Sequence, residues 1–526
     1  MRNWKEIAWA VLPGLIACFA ILYQFFLSSG EFIYLDWNGG YVSLWPLEHF
    51  SDFFLQDWIT VKKIPYFLIQ VPFILLFGHA ASGIFSKLYF LSMFACGSAG
   101  LYLFFKEDKL KYLLAVAILC FSPFVYERIM MGQFGVVFNI LLAPLFLFFT
   151  KKYFDEPNRD NAILAAVFLT LSTFVQIHGI VLHFILFFVV GFFYFLNKKN
   201  QKKIIETVPY FFGAFVLLNL YWIAAFFILP QASVFSSIDS GDIGFFSPSG
   251  SISFNVFLKT AAQFGSWREA GLLLSYNTLP YVAFVLAVVL FIYLSTLGVM
   301  EEKIFGYGLA AAAIIGFVLA LGPISPIFNF AVDFVPLFSG FRDSNKFVEL
   351  ITLFYAFLLP VGLGSIATKQ KKFVFSLFII GVIIYNYPII GLANQLHPIS
   401  IPEEYLNIKE MVPEKALYLP AGTYWTYNWS RSIGLDGRVI TPAKKDGYPK
   451  IIFITKESDY SWWNGEYQSL YNCKNIDCII SNNLTYVILD TCTIYKENFS
   501  WIADQAEIYK SEGCLVAYHI EGEYDG

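Results

Sequence analysis

The sequence IAWAVLPGLIACFAILYQFFL (Ile7–Leu27) runs directly into SSGEFIYLDWNGG (Ser28–Gly40). The first stretch is almost entirely apolar and reaches the length of about 20 residues that a helix needs to cross a bilayer. Arg2 and Lys5 precede it and no small-residue cleavage signal follows, which indicates a retained helix rather than a removed signal peptide. The second stretch puts Asp36 where the chain leaves the bilayer. A carboxylate there either solvates a loop end or serves as a general base at the membrane surface.

The composition places the chain in the membrane class. Of its 526 residues, 57% are hydrophobic, 20% are aromatic and 14% are charged, which is too apolar for a soluble globular protein. The net charge of -4 comes with no basic tract of useful length, so there is no sign of nucleic-acid binding. We therefore predict an integral membrane protein.

Hydropathy predicts a polytopic α-helical fold with about eleven transmembrane helices. The apolar runs are Ile7–Leu27, Ser82–Phe105, Tyr112–Tyr126, Phe134–Thr150, Ile163–Ile177, Ile180–Leu196, Val208–Leu229, Leu279–Met300, Ile304–Leu321, Val348–Ala367 and Phe373–Leu392. Charged residues, Asn and Gly return from His397 onward. We predict a transmembrane domain over residues 1–392 and a water-soluble domain over residues 393–526.

Lysine and arginine clusters predict the orientation, because short cytoplasmic loops carry an excess of them. The clusters are Lys106, Lys109 and Lys111; Lys151, Lys152 and Arg159; Lys198, Lys199, Lys202 and Lys203; and Lys369, Lys371 and Lys372. With about eleven spans all four fall on one side. The amino terminus is then cytoplasmic and the C-terminal domain extracytoplasmic. The apolar segment Ile64–Gly78 carries Pro65 and Pro72, and we place it as an in-plane or re-entrant helix on the outer face.

The C-terminal domain is predicted to be α/β. Strands are indicated at residues 416–419, 451–454 and 485–489, and a helix over Phe499–Lys510 before a last strand at 514–518. Cys473, Cys478, Cys492 and Cys514 favour disulfides, with three pairings open, over a zinc site of unusual spacing. Cys18, Cys96 and Cys120 lie in apolar runs and read as inert thiols. Three glycosylation acceptors, Asn428, Asn483 and Asn498, fit an outside location.

On this topology the outer loops carry three charged groups. The first is the acidic loop, in which Asp36, Glu48, Asp52 and Asp57 alternate with Trp37, Trp45 and Trp58. The aromatic residues suit either an interfacial belt or stacking on sugar rings and lipid. The second is the pair Glu127 and Arg128 in a very short connection, which either solvates a tight turn or belongs to a site.

The third group is FRDSNKF (Phe341–Phe347), ahead of the helix that starts near Val348. Arg342 and Lys346 are four residues apart and share a helical face if the helix starts early. A guanidinium and an ammonium at a helix amino terminus suit a phosphate group. The alternative is that the two cations pair with Asp343 or with lipid headgroups.

These motifs resemble the GT-C membrane glycosyltransferases, in particular the archaeal and actinobacterial branch that includes arabinofuranosyltransferases. Leu35-Asp36-Trp37 is similar to a Gly-Asp-Trp element of the first outer loop. Glu127-Arg128 through Gly132-Gln133 is similar to an Asn-Arg through Gly-His pattern, and Phe341–Phe347 to Phe-Arg-x-x-x-Lys-Phe. Leu35, Glu127 and Gln133 depart from the family pattern.

The resemblance implies an inverting transferase that takes a sugar from a polyprenyl-phosphate donor and passes it to a glycan or lipid-linked acceptor. Asp36 would act as the general base, and Arg342 and Lys346 would hold the leaving phosphate. A metal is not required, although the nearby acids are able to hold one. The candidate catalytic residues are Asp36 and Glu127, and the candidate substrate-binding residues are Trp37, Arg128, His178, Arg342, Asp343 and Lys346.

Two other classes remain open. A lipid or polysaccharide transporter or flippase explains the many helices, but it is expected to show paired broken helices or internal repeats. A non-catalytic surface anchor or assembly protein explains the cysteine-containing outer domain but gives Phe341–Phe347 no purpose. Loss of a surface glycan together with accumulation of its lipid-linked precursor, on deletion of the gene, separates the transferase from both.

Overall fold

The computed structural model describes residues 4–28, 50, 55, 58–77, 81–174, 176–198, 200–229, 254–265, 281–335, 338–366, 370–394, 403–406, 408–413, 416–419, 451–453, 475–481, 484–493 and 499–520. Asp36, Trp37 and the rest of the acidic loop before Trp58 lie outside these ranges, apart from the isolated positions 50 and 55. So do Cys473 and the glycosylation acceptors Asn428, Asn483 and Asn498.

Helices dominate the first three quarters of the chain. They are α1 (Trp4–Leu27), α2 (Trp58–Lys62), α3 (Ile64–Phe77), α4 (Ala81–Phe105), α5 (Lys109–Cys120), α6 (Pro123–Met130), α7 (Phe134–Asp155), α8 (Arg159–Ser172), α9 (His178–Leu196), α10 (Gln201–Ile228), α11 (Phe254–Ala261), α12 (Tyr281–Ala320), α13 (Pro326–Phe334), α14 (Val348–Ile366) and α15 (Lys371–Tyr385). Short 3-10 turns cover Gly322–Ile324, Phe338–Phe341, Ser344–Phe347 and Tyr387–Asn394.

Within the described ranges, eight helices are long and apolar enough to cross a membrane, or nine if α15 and the bent turn after it form one span. The chain is therefore a polytopic α-helical membrane protein. Even the count of nine is two lower than the predicted eleven, for two reasons. Helix α8 ends at Ser172 rather than Ile177, which leaves it about 21 Å long and short of the bilayer core. Helix α12 counts once although it is broken at Lys303.

The break at Lys303 reverses the chain, so α12 is two antiparallel arms. Lys303 has φ +48° and ψ -113°, outside the helical region. Neighbours along α14 show the reversal, with Phe291 against Tyr355, Leu294 against Gly362, Phe305 against Phe357 and Gly316 against Leu350. The first arm thus approaches the end of α14, and the second arm returns toward its start.

Close backbone approach joins α14 to the first arm of α12 and leads to a prediction. A Cβ atom on Gly362 would lie 1.8 Å from the carbonyl oxygen of Leu294. Gly362→Ala should therefore push the two helices apart and cost about 1–3 kcal/mol of unfolding free energy, as overpacking does. Gly213 in α10 is the matched control, because its Cβ would meet nothing within 4 Å.

The control Gly213→Ala should leave stability unchanged or raise it by up to about 1 kcal/mol, since alanine favours the helix. Denaturation of both variants by SDS in mixed micelles checks the pair. Equal stability of the two variants would contradict the packing described for α14.

The predicted inner loops gather at one end of the helical bundle. The contacts that bring them together are Lys371 with Asp108 (2.6 Å), Asn200 with the carbonyl of Asp155 (3.1 Å), Lys151 over the ring of Phe305 (5.9 Å) and Phe104 against Phe305 (5.3 Å). All four lysine clusters have members at or next to these contacts. Which side of the membrane this end faces stays a prediction.

Two spans are almost wholly enclosed by the other helices. Lys109–Met130 is 94% buried and Ser344–Ile366 is 89% buried over their most apolar windows, against 22–67% for the other six. These central spans carry the Glu127-Arg128 pair and the end of the Phe341–Phe347 motif. The two motifs therefore lie inside the bundle rather than on its lipid-facing surface.

The segment after the acidic loop is fixed to the end of the bundle opposite the lysine clusters. Lys62, at the end of α2, is buried and its Nζ donates to the carbonyl oxygens of Thr173 (2.6 Å) and Phe174 (3.2 Å), just past the end of α8. A cation at a helix carboxyl terminus is stabilised by the helix dipole. Helix α3 confirms the predicted helix at Ile64–Gly78, and its in-plane placement stays a prediction.

In the described portion of the C-terminal part, five strands form a sheet. Its elements are α16 (Glu403–Leu406), β1 (Ala416–Leu419), β2 (Ile451–Phe453), α17 (Ile476–Ile480), β3 (Tyr486–Asp490), α18 (Trp501–Gln505), β4 (Glu507–Glu512) and β5 (Leu515–His519). The strand order is β2-β1-β3-β5-β4, with β2, β1 and β3 parallel and β5 antiparallel to both neighbours. The α/β prediction is confirmed.

The predicted helix Phe499–Lys510 is wrong in its second half. It ends at Gln505, and Glu507–Glu512 pairs with β5 as an edge strand. The two strands are joined by a turn at Gly513, whose φ of +53° suits glycine. Pairing with β5 outweighs the helical preference of this short segment.

Cysteine chemistry in the sheet domain follows the disulfide prediction. Cys492, after β3, is bonded to Cys514, ahead of β5. Cys478 is disulfide-bonded as well. Cys18, Cys96 and Cys120 are free thiols in the helices.

Asp490 makes the stability of this domain pH-dependent. Its buried carboxylate accepts hydrogen bonds from the hydroxyls of Tyr405 and Tyr418 and from the backbone N–H of Cys492. Burial raises the pKa of Asp490 to about 6, because it outweighs these hydrogen bonds, which lower it. Between pH ~4 and pH ~6 the folded domain thus holds more protons than the unfolded chain.

The unfolding free energy of the domain should therefore fall by about 3 kcal/mol as the pH rises through that window. Asp490→Asn should remove this slope, while Asp504→Asn at an exposed position should keep it. Hydrogen exchange of the β1 and β3 amides from pH 4 to 7, corrected for intrinsic exchange rates, measures the slope. An unchanged slope in Asp490→Asn would exclude this carboxyl as its source.

Candidate active site

The Glu127-Arg128 pair lies on a helix, not in a turn. Ser122 caps α6, its Oγ accepting the N–H of Val125 (3.2 Å), and Pro123 occupies the first helical position. Glu127 and Arg128 follow on this helix, and both are 0% exposed. The predicted very short connection is instead a helix, because Ser122-Pro123 starts α6 after α5. Of the two alternatives for the polar pair, solvation of a tight turn is wrong, because both side chains are buried.

Arg128 contacts a second motif, Phe341–Phe347, which lies 215 residues further along the sequence. Its two terminal nitrogens donate to the carboxylate of Asp343 (2.5 Å) and to the side-chain oxygens of Asn345 (2.5 Å) and Gln133 (2.5 Å). A planar guanidinium suits such divided bonding, since its donors point in fixed directions. Arg128 therefore ties the end of α6 to Phe341–Phe347.

The ion pair sets the charge of Asp343. Burial opposes ionisation of this carboxyl, but the nearby charges of Arg128 and Lys346 outweigh it and hold the pKa of Asp343 below its usual value. The carboxylate therefore stays negative and neutralises Arg128. The ion pair of Asp343 with Arg128 is not among the alternatives for this motif, which consider only Arg342 and Lys346 as its cations.

The backbone of the second motif differs from the prediction. Ser344–Phe347 is a 3-10 turn that leads into α14, and Arg342 precedes it in irregular backbone. Arg342 and Lys346 therefore do not share a helical face. The helix starts late because the 3-10 turn at Phe338–Phe341 and the stacked rings of Phe341 and Phe347 (4.8 Å) hold the chain in a tight fold.

His178 contacts the same segment from α9. Its Nδ1 accepts from the amide of Gln176 (3.0 Å), which leaves its Nε2–H to donate to the carbonyl of Gly340 (2.8 Å). Its ring lies edge-on to Phe341, with centroids 4.9 Å apart. The structure thus brings His178 to Phe341–Phe347, with both ring nitrogens hydrogen-bonded within the protein.

Glu127 meets a segment that sequence reasoning treated only as loop. Helix α11 and its tail lie in the connection between the predicted spans Val208–Leu229 and Leu279–Met300, and the N–H of Gly265 donates to Oε1 of Glu127 (3.3 Å). Gln263 in the same tail accepts from the hydroxyl of Thr352 on α14 (3.1 Å). The apolar spacing Phe254, Phe257, Leu258 and Ala261 is a helical signal that would have found α11.

Six of the eight candidate residues therefore share one end of the bundle, opposite the lysine clusters. They are Glu127, Arg128, His178, Arg342, Asp343 and Lys346. Asp36 and Trp37 lie outside the described residues. Among the residues that are described, no three His, Cys, Asp or Glu side chains come close enough to hold a metal ion.

The site unites one buried ion pair with two further cations, Arg342 and Lys346, of which Lys346 is 7% exposed. The charges of Glu127, Arg128, Arg342, Asp343 and Lys346 sum to +1. Such an arrangement is able to bind an anionic group. No protein-family model and no curated protein matches this chain.

Proposed function

We propose that this chain is a GT-C type membrane glycosyltransferase. It transfers a sugar from a polyprenyl-phosphate donor to a glycan or lipid-linked acceptor, with inversion, on the extracytoplasmic face. The observation that carries the proposal is the contact of Arg128 with Asp343 and Asn345, which joins two of the three resembling motifs. Motifs that form one site must lie close together in space, whereas chance sequence matches have no reason to do so.

The proposed topology has about eleven spans, with the amino terminus inside and the sheet domain outside. It counts α8 and the two arms of α12 as separate crossings, together with α15. This proposal is supported by the gathering of all four lysine clusters at one bundle end and of the motif residues at the other.

Arg342 and Lys346 are the proposed phosphate ligands. Asp343 is engaged by Arg128, so the pair is neutral as a unit and the positive potential of the segment comes from Arg342 and Lys346. The start of α14 adds the positive end of its helix dipole. These donors stabilise the charge that develops on the leaving polyprenyl phosphate.

Asp36 is the proposed general base. It takes the proton of the acceptor hydroxyl as that oxygen attacks the anomeric carbon, and the bond from this carbon to the phosphate oxygen breaks. The electron pair of the broken bond stays on the polyprenyl phosphate, next to the two cations. A single displacement of this kind inverts the anomeric centre.

Replacement of Lys346 tests the phosphate site. Lys346→Met should weaken binding of a polyprenyl monophosphate in lipid nanodiscs about 10–100-fold, the loss expected for one charge-assisted hydrogen bond. Lys303→Met, at the opposite end of the bundle, is the matched control and should leave binding unchanged. Arg342→Ala should weaken binding of the donor more than that of the acceptor. Equal affinities of the wild type and Lys346→Met would exclude the proposed phosphate site.

A further inference from the structure

A second polar network, formed by Ser172, His183 and Glu349, lies in the bundle next to the candidate site. Nε2 of His183 on α9 is 3.1 Å from Oε1 of Glu349 on α14, and its Nδ1 is 2.8 Å from Oγ of Ser172 at the end of α8. All three residues are 0% exposed, and the imidazole stacks on Phe146 with centroids 5.1 Å apart. The network therefore joins three helices inside the bundle.

The pattern of donors and acceptors in this network implies that it carries no net charge. The hydroxyl of Ser172 donates to the carbonyl of Leu169 (3.0 Å), so its oxygen accepts the Nδ1–H of His183. One proton then remains between Nε2 of His183 and Oε1 of Glu349. Whether it sits on nitrogen or oxygen, the pair carries no net charge, which makes burial in a bilayer tolerable.

Stability alone does not explain why these residues are polar. Apolar residues of similar volume often stabilise a protein as well as a buried ionic pair does, or better. Oε2 of Glu349 has no hydrogen-bond partner among the described residues, which adds a cost that an apolar side chain would avoid. We therefore look for a role of the His183–Glu349 contact in positioning nearby residues.

Helix α9 contacts the chain on both sides of the second motif, through His178 before it and through His183 after it. His178 and His183 both lie on α9, and they hold Gly340 ahead of the motif and Glu349 after it. Lys346 lies three residues before Glu349, a spacing that puts both on one side of the helical turn. Helix α9 therefore fixes both ends of the segment that carries Lys346.

We propose that His183 and Glu349 are positioning residues for the phosphate site. Their contact holds the start of α14 against α9 and thereby sets the position of Lys346 relative to Arg128 and to the donor phosphate. Glu349 acts through its hydrogen bond and not through proton exchange with a substrate. This inference rests on the proposed function of Lys346.

Four variants in lipid nanodiscs test the proposal with a polyprenyl monophosphate as the probe. Glu349→Leu and His183→Leu should each weaken binding about tenfold, as loss of an orienting partner does. The double variant His183→Leu/Glu349→Leu removes both polar groups, should stay folded, and should still bind about tenfold more weakly. Glu349→Gln should bind like the wild type with the same pH profile, because its amide donates to Nε2 of His183.

Two binding results would overturn the proposal. Wild-type affinity of the double apolar variant would show that the contact positions nothing, and loss of binding in Glu349→Gln would show that the proton matters rather than the contact. Hydrogen exchange of amides 338–347 separates this inference from the function on which it rests. Exchange there should quicken about tenfold in the double variant, at unchanged rates elsewhere in the bundle, even if the wild type binds no polyprenyl phosphate. Unchanged exchange would overturn the positioning role by itself.

Discussion

Replacing Arg128 with methionine is expected to destabilise the helical domain by about 3–5 kcal/mol, because the carboxylate of Asp343 would be left buried without its partner. Arg128 and Asp343 have side chains that are 0% and 5% exposed, so water does not take over the lost contacts. Asn345 and Gln133 would also lose a donor each. Titration of the protein with SDS in mixed micelles measures the change.

Two further variants make this result specific. Arg128→Met/Asp343→Asn should recover a large part of the loss, since it removes the unpaired charge together with its partner. Arg159→Met is the matched control, because Arg159 is exposed and contacts only the face of Tyr210 among the described residues, and it should cost less than about 1 kcal/mol. Stability of Arg128→Met equal to that of Arg159→Met would contradict the described ion pair.

Asp36→Asn should lower sugar transfer about 100- to 10,000-fold, the range that general-base catalysis contributes. The amide keeps the size of the side chain and loses its ability to take a proton. Folding and binding of the polyprenyl monophosphate should stay as in the wild type. The readout is release of polyprenyl monophosphate from a lipid-linked sugar donor, or in cells the loss of a surface glycan with accumulation of its lipid-linked precursor.

Asp52→Asn is the control for Asp36, since it removes a second carboxylate of the same acidic loop. It should retain transfer within about threefold, because only the general base carries the catalytic effect. Turnover retained in Asp36→Asn would remove Asp36 as the base. Equal losses in the two variants would assign the effect to the charge of the loop as a whole.

Much of the fold could be predicted from the sequence because long apolar runs and alternating strands each follow a local rule. The apolar runs recovered most of the helices, and the alternation at residues 416–419 recovered β1. Local rules failed where tertiary contacts decide. Glu507–Lys510 became strand through pairing with β5, and the end of α8 at Ser172 is shared with the His183 network.

The candidate site could be predicted as a set of residues but not as a geometry. Lysine clusters indicated that Arg128 and Asp343 share one side of the membrane, but their contact depends on packing between helices that are 215 residues apart in sequence. Helix α14 starts late, so Arg342 and Lys346 do not share a helical face. This late start depends on the stacked rings of Phe341 and Phe347 rather than on helix propensity. The residues of the His183 network lie outside the motifs, although Glu349 follows the second motif closely. The network therefore carries no sequence signal of its own.

The proposed transfer requires that the carboxylate of Asp36 share one cavity with the cations Arg342 and Lys346. Binding cavities of about 300–1,000 Å3 place opposite walls roughly 8–12 Å apart. A thiol cross-linker of that length should therefore join Asp36→Cys to Lys346→Cys, in a chain whose free helical cysteines Cys18, Cys96 and Cys120 are replaced by alanine. Positions 178 and 340, already in contact, are the positive control, and positions 36 and 303 are the negative control. Cross-linking of 36 to 346 at the efficiency of the positive control is the predicted result, and cross-linking no better than that of 36 to 303 would contradict the account.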